Sequence, residues 1–336
     1  MATMADVARL AGVTRSTVSY TISGSRPISD ETRRRVLAAM EELDYTPNVL
    51  AQGLAGSRTS LLGLLVPSEF LGLGVDAGGY LSAAADEARS SGRRLLLLPG
   101  PADDAGFVEE TVRQGLVDGV VVMEVYRRDV RVDHLRGTET PFVLLGRTDD
   151  TAGTAFCDAD FDASAESAFT HLAELGHREV ALVARGEGVK RIEEPGVVAR
   201  SRAAEIAAAA RHGMGLRRYP IAQTFAAGWE AFDEIRASAA TAVLLHNEPA
   251  GLGFVSAAAA RGVVIPRDLS VITVHTGPEV GELSRPRLTS VGPDHLAMAR
   301  RAVQFLVRRI DGAPPESLQS LSEPRFIDRG STAGPA

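Results

Sequence analysis

Cysteine is almost missing from this 336-residue chain: Cys157 stands alone, which excludes an internal disulfide and a multi-cysteine zinc site. Lysine is as scarce. Lys190 is the one lysine among 36 basic residues, so arginine runs such as Arg33-Arg34-Arg35 read as codon bias on a solvated face rather than as a phosphate clamp. Aromatic residues make up 5% of the chain and Trp229 is the single tryptophan, which leaves little for stacking against a ligand. No apolar run approaches the roughly 18 residues of a membrane span. The start lacks a basic stretch leading into an apolar one, so the expectation is a cytoplasmic protein.

Signatures of catalysis are missing as well. The seven histidines form no H-E-x-x-H pair. His171 and His177 are six apart and do not share a helix face, and His177 reads as a cap on a helix-to-strand turn. No G-x-S-x-G elbow occurs. Residues 72–77 fit G-x-G-x-x-A, but five residues separate them from the preceding strand, and the next strand ends without an acidic ribose partner. No catalytic residue, metal site or cofactor is expected.

What the chain does have is an unusual first sixty residues. They hold seven arginines and six carboxylates, so they are near neutral and the net charge of −7 sits on the remainder. The remainder repels DNA, and any DNA contact must come from the head. Thr3 is a plausible N-cap for a helix over 4–10, with Asp6 in its first turn and Val7 and Leu10 on one face. Gly12 ends it, and Thr14 can cap a second helix over 15–23 whose Val18 and Ile22 recur at i,i+4. Two short helices joined by a glycine turn make a helix-turn-helix. Ser29 caps a third helix with Val36, Leu37, Met40 and Leu43 as its buried stripe. The outward face of the second helix keeps Arg15, Ser16, Ser19 and Tyr20. Arg15 could pair bidentately with guanine, Ser16 with either base type, and Tyr20 with a base edge or a phosphate; equally, Arg15 and Tyr20 could be ordinary solvated residues. After Pro47, residues 48–56 could form one short helix weakened by Gly53, too short to persist in water without support.

The stretch MADVARLAGVTRSTVSYTISGSRPISDETRRRVLAAMEELDYTPNVLAQGLAG resembles the headpiece and hinge of the lactose-repressor/galactose-repressor family of bacterial transcription regulators. The resemblance implies that Arg15, Ser16 and Tyr20 choose the sequence, while Met4, Thr14, Thr17, Ser19, Ser23 and Tyr45 position the phosphates. It also implies that two hinge helices meet in the minor groove, each pushing Leu54 into the central base step, with Asn48, Ala51 and Gln52 facing the groove floor or phosphates.

From residue 60, apolar runs at 61–66, 94–98, 119–123 and 142–145 alternate with helical stretches near 78–91 and 107–116. A second series has strands at 180–184, 242–245 and 270–274 and helices near 164–175, 198–211, 250–261 and 295–309. Such alternation predicts doubly wound α/β units with right-handed crossovers. The fold expected is thus an all-α helix-turn-helix headpiece (1–46), a hinge helix (47–59) and an α/β core of two lobes (60–328). Residues 329–336 are expected to be a flexible tail after a short strand at 325–328. Segments such as HLAELGHREVALV and RGVVIPRDLSVITV resemble the periplasmic-binding-protein-like core that the family carries behind its hinge.

The resemblance further implies an effector cleft between the lobes. Asn247 and Glu248 stand where the family has an Asn-Asp pair, and His275 and Thr276 stand where it has two aspartates. Arg202 matches the family arginine, with Arg200 as a rival, and Glu205-Ile206 replaces a Gly-aromatic pair. With His246 near the mouth, the cleft suits a sugar or an anionic, phosphorylated metabolite, and a protonated His275 facing an anion would weaken binding as pH rises from about 6 to 8. The expected partners are a double-stranded DNA operator, a small effector and a second copy of the chain, as a homodimer or tetramer. A solute-binding module without a DNA role and a regulator answering to a partner protein are the alternatives.

Overall fold

The computed structural model describes residues 2–23, 26–45, 59–67, 74–101, 104–186 and 195–335. The linker residues Asn48, Ala51, Gln52 and Leu54 lie outside the described residues. In the head, α1 (Met4–Ala11) opens on a reciprocal cap: the Asp6 amide donates to Thr3 Oγ1 at 3.3 Å and the Thr3 amide to the Asp6 carboxylate at 3.0 Å. Gly12 closes α1 with a left-handed φ of 62°. Thr14 Oγ1 accepts from the Thr17 amide at the start of α2 (Arg15–Ser23), and Ser29 caps α3 (Asp30–Glu42). Val7, Ala8, Ala11, Val18, Val36 and Ala39 form the head's core, with Ile22, Met40 and Leu43 against it.

Two expected core residues fall outside that core: Leu10 is 45% exposed and Leu37 49%. The buried stripe of α1 runs through Val7, Ala8 and Ala11, which turns Leu10 to the side. On α3, Ala39 follows Val36 at i+3 and takes the place expected for Leu37.

Among the described residues the body contains two six-stranded sheets. The first comprises β1 (Leu61–Pro67), β2 (Arg94–Gly100), β3 (Gly119–Met123), β4 (Phe142–Leu145), β5 (Phe156–Ala159) and β11 (Gln319–Ser322), parallel throughout in the order β11-β5-β4-β3-β1-β2. The second comprises β6 (Glu179–Arg185), β7 (Gly215–Ile221), β8 (Ala242–Leu245), β9 (Ser270–Val274), β10 (Thr289–Pro293) and β12 (Pro324–Ile327), in the order β12-β10-β9-β8-β6-β7 with only β12 antiparallel. Strands such as β3 and β8 are buried at every residue because helices cover both faces, which is why they read as unbroken apolar runs. Helices α4 (Gly74–Ser90), α5 (Ala105–Arg113), α6 (Val130–Arg136) and α11 (His295–Ile310) belong to the first lobe. Helices α7 (Phe161–Glu174), α8 (Gly196–Arg211), α9 (Phe225–Arg236) and α10 (Glu248–Ala260) belong to the second. The chain crosses between lobes three times, after β5, after β10 and after β11, so the cleft lies between two bodies hinged by three strands of chain.

Two features anchor the ends of the body. Asp118 accepts from the Thr59 amide at 2.6 Å, Thr59 Oγ1 at 2.8 Å and the Ser60 amide at 3.1 Å, and pairs with Arg93 at 3.2 Å, tying the linker's last residues to the first lobe. At the other end, the expected flexible tail is instead built into the second lobe. Ser331 is fully buried, with Oγ donating to the Val271 carbonyl and accepting from the Thr289 amide. His177, also buried, contacts the Ala333 carbonyl at 2.9 Å and Thr241 Oγ1 at 2.7 Å, so it fastens the tail across β6, β8 and β9 as well as closing the turn after α7. Composition suggested a loose tail; buried hydrogen bonds that only the fold supplies hold it. Among the described residues no helix is long and apolar enough to cross a membrane.

Candidate nucleic-acid interface and ligand cleft

Because Val18 and the half-buried Ile22 turn toward the head's core, α2 presents its opposite face outward. Thr14, Arg15 and Ser16 are exposed there, and Thr17, Ser19 and Tyr20 are half-buried. The Thr14 and Thr17 hydroxyls lie 2.9 Å apart, holding the N-terminal end of α2 in one arrangement. Met4 and Tyr45 are half-buried against the head's core, and Ser23 ends α2. Arg26, which the sequence reading passed over, sets its guanidinium 4.9 Å from the centre of the Tyr20 ring. A basic residue in the turn after the second helix was the available signal. Together α2 with its cap and the turn after it offer two guanidinium groups, four hydroxyls and a phenol, a set suited to phosphate oxygens and base edges.

The cleft cavity, about 140 Å³, opens at the carboxyl ends of the strands of both sheets, where ligands of open α/β folds bind. Strand ends supply Glu124 and Gly146 from the first lobe and Arg185, His246, His275 and Thr276 from the second; α8 adds Arg200, and α10 adds Glu248. Three of these have left-handed backbones: Glu124 (φ 49°), Gly146 (φ 112°) and His275 (φ 59°). For Glu and His that conformation is uncommon, and it concentrates at sites where surroundings impose it.

Beneath the cavity lies a buried acid-imidazole cluster. Glu205 Oε1 stands 3.3 Å from His246 Nδ1 and 3.5 Å from His275 Nε2, while its Oε2 pairs with Arg218 at 3.2 Å. Burial pushes both imidazoles down, each to about 3, and raises the Glu205 carboxyl. His275 is therefore neutral across pH 6 to 8, so, contrary to the expectation from sequence, its deprotonation does not weaken ligand binding over that range. Sequence reading saw Glu205 only as a replacement for glycine; its two histidine neighbours lie 41 and 70 positions away and leave no local pattern. Among the described residues no group of three His, Cys, Asp or Glu side chains could hold a metal ion.

The structure brings Glu248, His275 and Thr276 to the cavity wall. Asn247 is buried one layer back: it caps α10 and its amide donates to the carbonyls of Ala184, Ile221 and Ala222, stitching the ends of β6, β7 and β8. Arg202 is half-buried and is not among the lining residues, whereas its rival Arg200 is, paired with Asp158 at 3.1 Å. Residues two apart on a helix point about 200° apart, so only one of the two can face the cleft.

Residues 3–48 match the model described as bacterial regulatory proteins, lacI family, and residues 169–332 match a periplasmic binding protein-like domain. The HTH-type transcriptional regulator AscG of Escherichia coli (strain K12) is 30% identical over 354 residues, covering 100% of both chains. The chain belongs to the lacI family. It is a DNA-binding transcription regulator, and its relatives are regulators, not enzymes. A transcriptional regulator CelR–cellobiose complex superposes with a TM-score of 0.67 at 26% identity, covering 98% of this chain and 100% of that one. The Lac repressor dimer bound to operator and the anti-inducer ONPF gives 0.82 at 23% identity over 99% of each chain, a likeness of fold. The family's head match spans α1 to α3, and its core match spans most of the second lobe with α11.

Proposed function

We propose that this regulator is a cytoplasmic, nucleoid-associated repressor that binds a pseudo-palindromic operator as a homodimer and changes its DNA affinity when a small ligand enters the cleft. The observation that carries the reading is the outward face of α2: Arg15, Ser16 and Tyr20 stand on a head whose core is closed by the other face, joined to a two-lobed body. In this reading Arg15, Ser16 and Tyr20 read bases; Met4, Thr14, Thr17, Ser19, Ser23 and Tyr45 hold phosphates; and Leu54, with Asn48, Ala51 and Gln52, works in the minor groove. The ligand is a small sugar or an anionic metabolite of similar size. The cellobiose held by a relative supports the first and the guanidinium groups of Arg185 and Arg200 support the second.

One head covers too little DNA for tight binding, so two heads must engage half-sites in fixed register. The test is an operator selected from random DNA, then lengthened by one base pair at its centre. Affinity falls sharply on the lengthened site if paired hinges meet there, and equal binding to both sites rejects the dimer-and-hinge arrangement.

A further inference from the structure

The charges that line the cavity also tie the two lobes together. Arg200 of α8 sets Nη2 3.1 Å from Asp158 Oδ2 in the opposite lobe, and its Nη1 donates to the Arg147 carbonyl at 2.8 Å. Arg185, the last residue of β6, places Nη2 3.4 Å from Glu124 Oε2, again across the cleft. Beside these pairs the Gly196 amide donates to the Val125 carbonyl at 2.9 Å, and a Cβ at Gly196 would stand 2.9 Å from that oxygen. Backbone meets backbone there because the residue is glycine. All four charged side chains are less than a fifth exposed, so salt screens them weakly.

The first lobe's half of this contact is braced. The buried Arg131 donates to the carbonyls of Met123 and Glu124, both at 3.1 Å, and its partner Asp129 accepts from the Tyr126 amide at 3.0 Å. This brace fixes the left-handed Glu124 and points the 124–126 segment at the second lobe. Strand β3 then joins two places of interest. Its first residue, Gly119, follows Asp118, which holds the end of the DNA linker; its last, Met123, precedes Glu124.

We infer that these cross-lobe ion pairs are a built-in latch that holds the cleft shut with no ligand bound, and that β3 passes the latch's state to the linker at Asp118. A ligand acts by exchange: to occupy the cavity it must offer Arg185 and Arg200 acceptors in place of Glu124 and Asp158. That last step rests on the ligand-controlled reading above; the latch itself does not. Coupling of this kind requires two arrangements of the lobes that differ in their contacts, and the ion pairs supply the difference.

The test uses the full chain without ligand. Dyes on Glu109→Cys and Arg236→Cys, exposed positions in opposite lobes, report the interlobe distance in labelled subunits diluted with unlabelled ones, and the native Cys157 is buried. Glu124→Arg and Arg185→Glu are measured singly and together, alongside affinity for an operator selected from random DNA. Each single reversal should raise the open fraction about fivefold or more and shift operator affinity in one common direction. The double reversal restores the pair and should return both readouts toward wild type, which a merely damaged fold would not do. An unchanged distance in the single variants, or no recovery in the double, overturns the latch. A changed distance with unchanged operator affinity overturns the coupling through β3. Failure of every form to bind DNA would count against the proposed function while the distances still decide the latch.

Discussion

Replacing Asp118 with alanine removes the acceptor for four donors at the point where the linker enters the body. Thr59 N, Thr59 Oγ1, Ser60 N and Arg93 Nη1 all lie within 3.2 Å of its carboxylate. The Asp118 and Arg93 side chains are 6% and 12% exposed, so the substitution leaves a guanidinium in a poorly hydrated place without its counter-charge. Deleting one member of a buried pair costs about 3 to 5 kcal/mol. Thr59 and Ser60 lie closer to solvent and recover part of their hydrogen bonding from water. The lower end, about 3 kcal/mol, is therefore expected in urea unfolding of the full chain. Asp118→Asn keeps one acceptor oxygen and should lose less than the alanine variant. Operator affinity should weaken in both, because a linker freed from its anchor has more conformations to give up on binding. A loss below about 1 kcal/mol together with unchanged operator affinity would make Asp118 an ordinary surface carboxylate and not the linker's anchor.

Three further outcomes follow from packing and burial. Gly228→Ala drives a methyl into the Ala250 carbonyl oxygen, so α9 and α10 must part; a thermal melt should show a loss of about 1 to 3 kcal/mol, and an unchanged melting temperature contradicts the close approach. His246 and His275 are held neutral in the folded state, with pKa values of about 3, below the unfolded value of about 6.5. The unfolded chain therefore binds more protons between those values, so stability is complete above about pH 6.5 and falls as pH drops toward 4, opposed in part by the raised Glu205. Thermal unfolding across that range in wild type and His246→Asn/His275→Asn should show the slope in the first and a shallower one in the second. Ser331→Ala leaves the Thr289 amide without its partner and should cost about 1 to 3 kcal/mol, whereas a free tail would tolerate it without effect.

The head was legible almost completely because its signals are local. Thr3, Thr14 and Ser29 cap where hydroxyls precede helices, and Gly12 stops α1 where a left-handed residue is needed. Strands β3, β4, β8 and β9 were legible to the residue because helices bury both faces. β5 was not, since four residues that include Asp158 carry no apolar run, and neither was β7, where Arg217 and Arg218 interrupt an edge strand. β10 was not legible either, since Thr289-Ser290-Val291-Gly292-Pro293 carries no apolar run. In the cleft, His246, His275 and Thr276 were placed from sequence, but Glu124, Gly146 and Arg185 were not, and the choice between Arg200 and Arg202 depends on how α8 is rotated, which neighbouring elements decide. Asp158 was invisible for the same reason as its strand, and its pairing with Arg200 spans 42 positions.

If the outward face of α2 reads DNA sequence, Arg15 is the side chain whose loss shows it most sharply. Wild type and Arg15→Ala are titrated against the selected operator and against random DNA at one salt concentration. The variant should lose about 1 to 3 kcal/mol on the operator and show a flattened preference at one base position, with little change on random DNA. Equal losses on both would make Arg15 a phosphate contact, and an unaltered operator affinity with unaltered base preference would contradict the claim that this face carries the sequence choice.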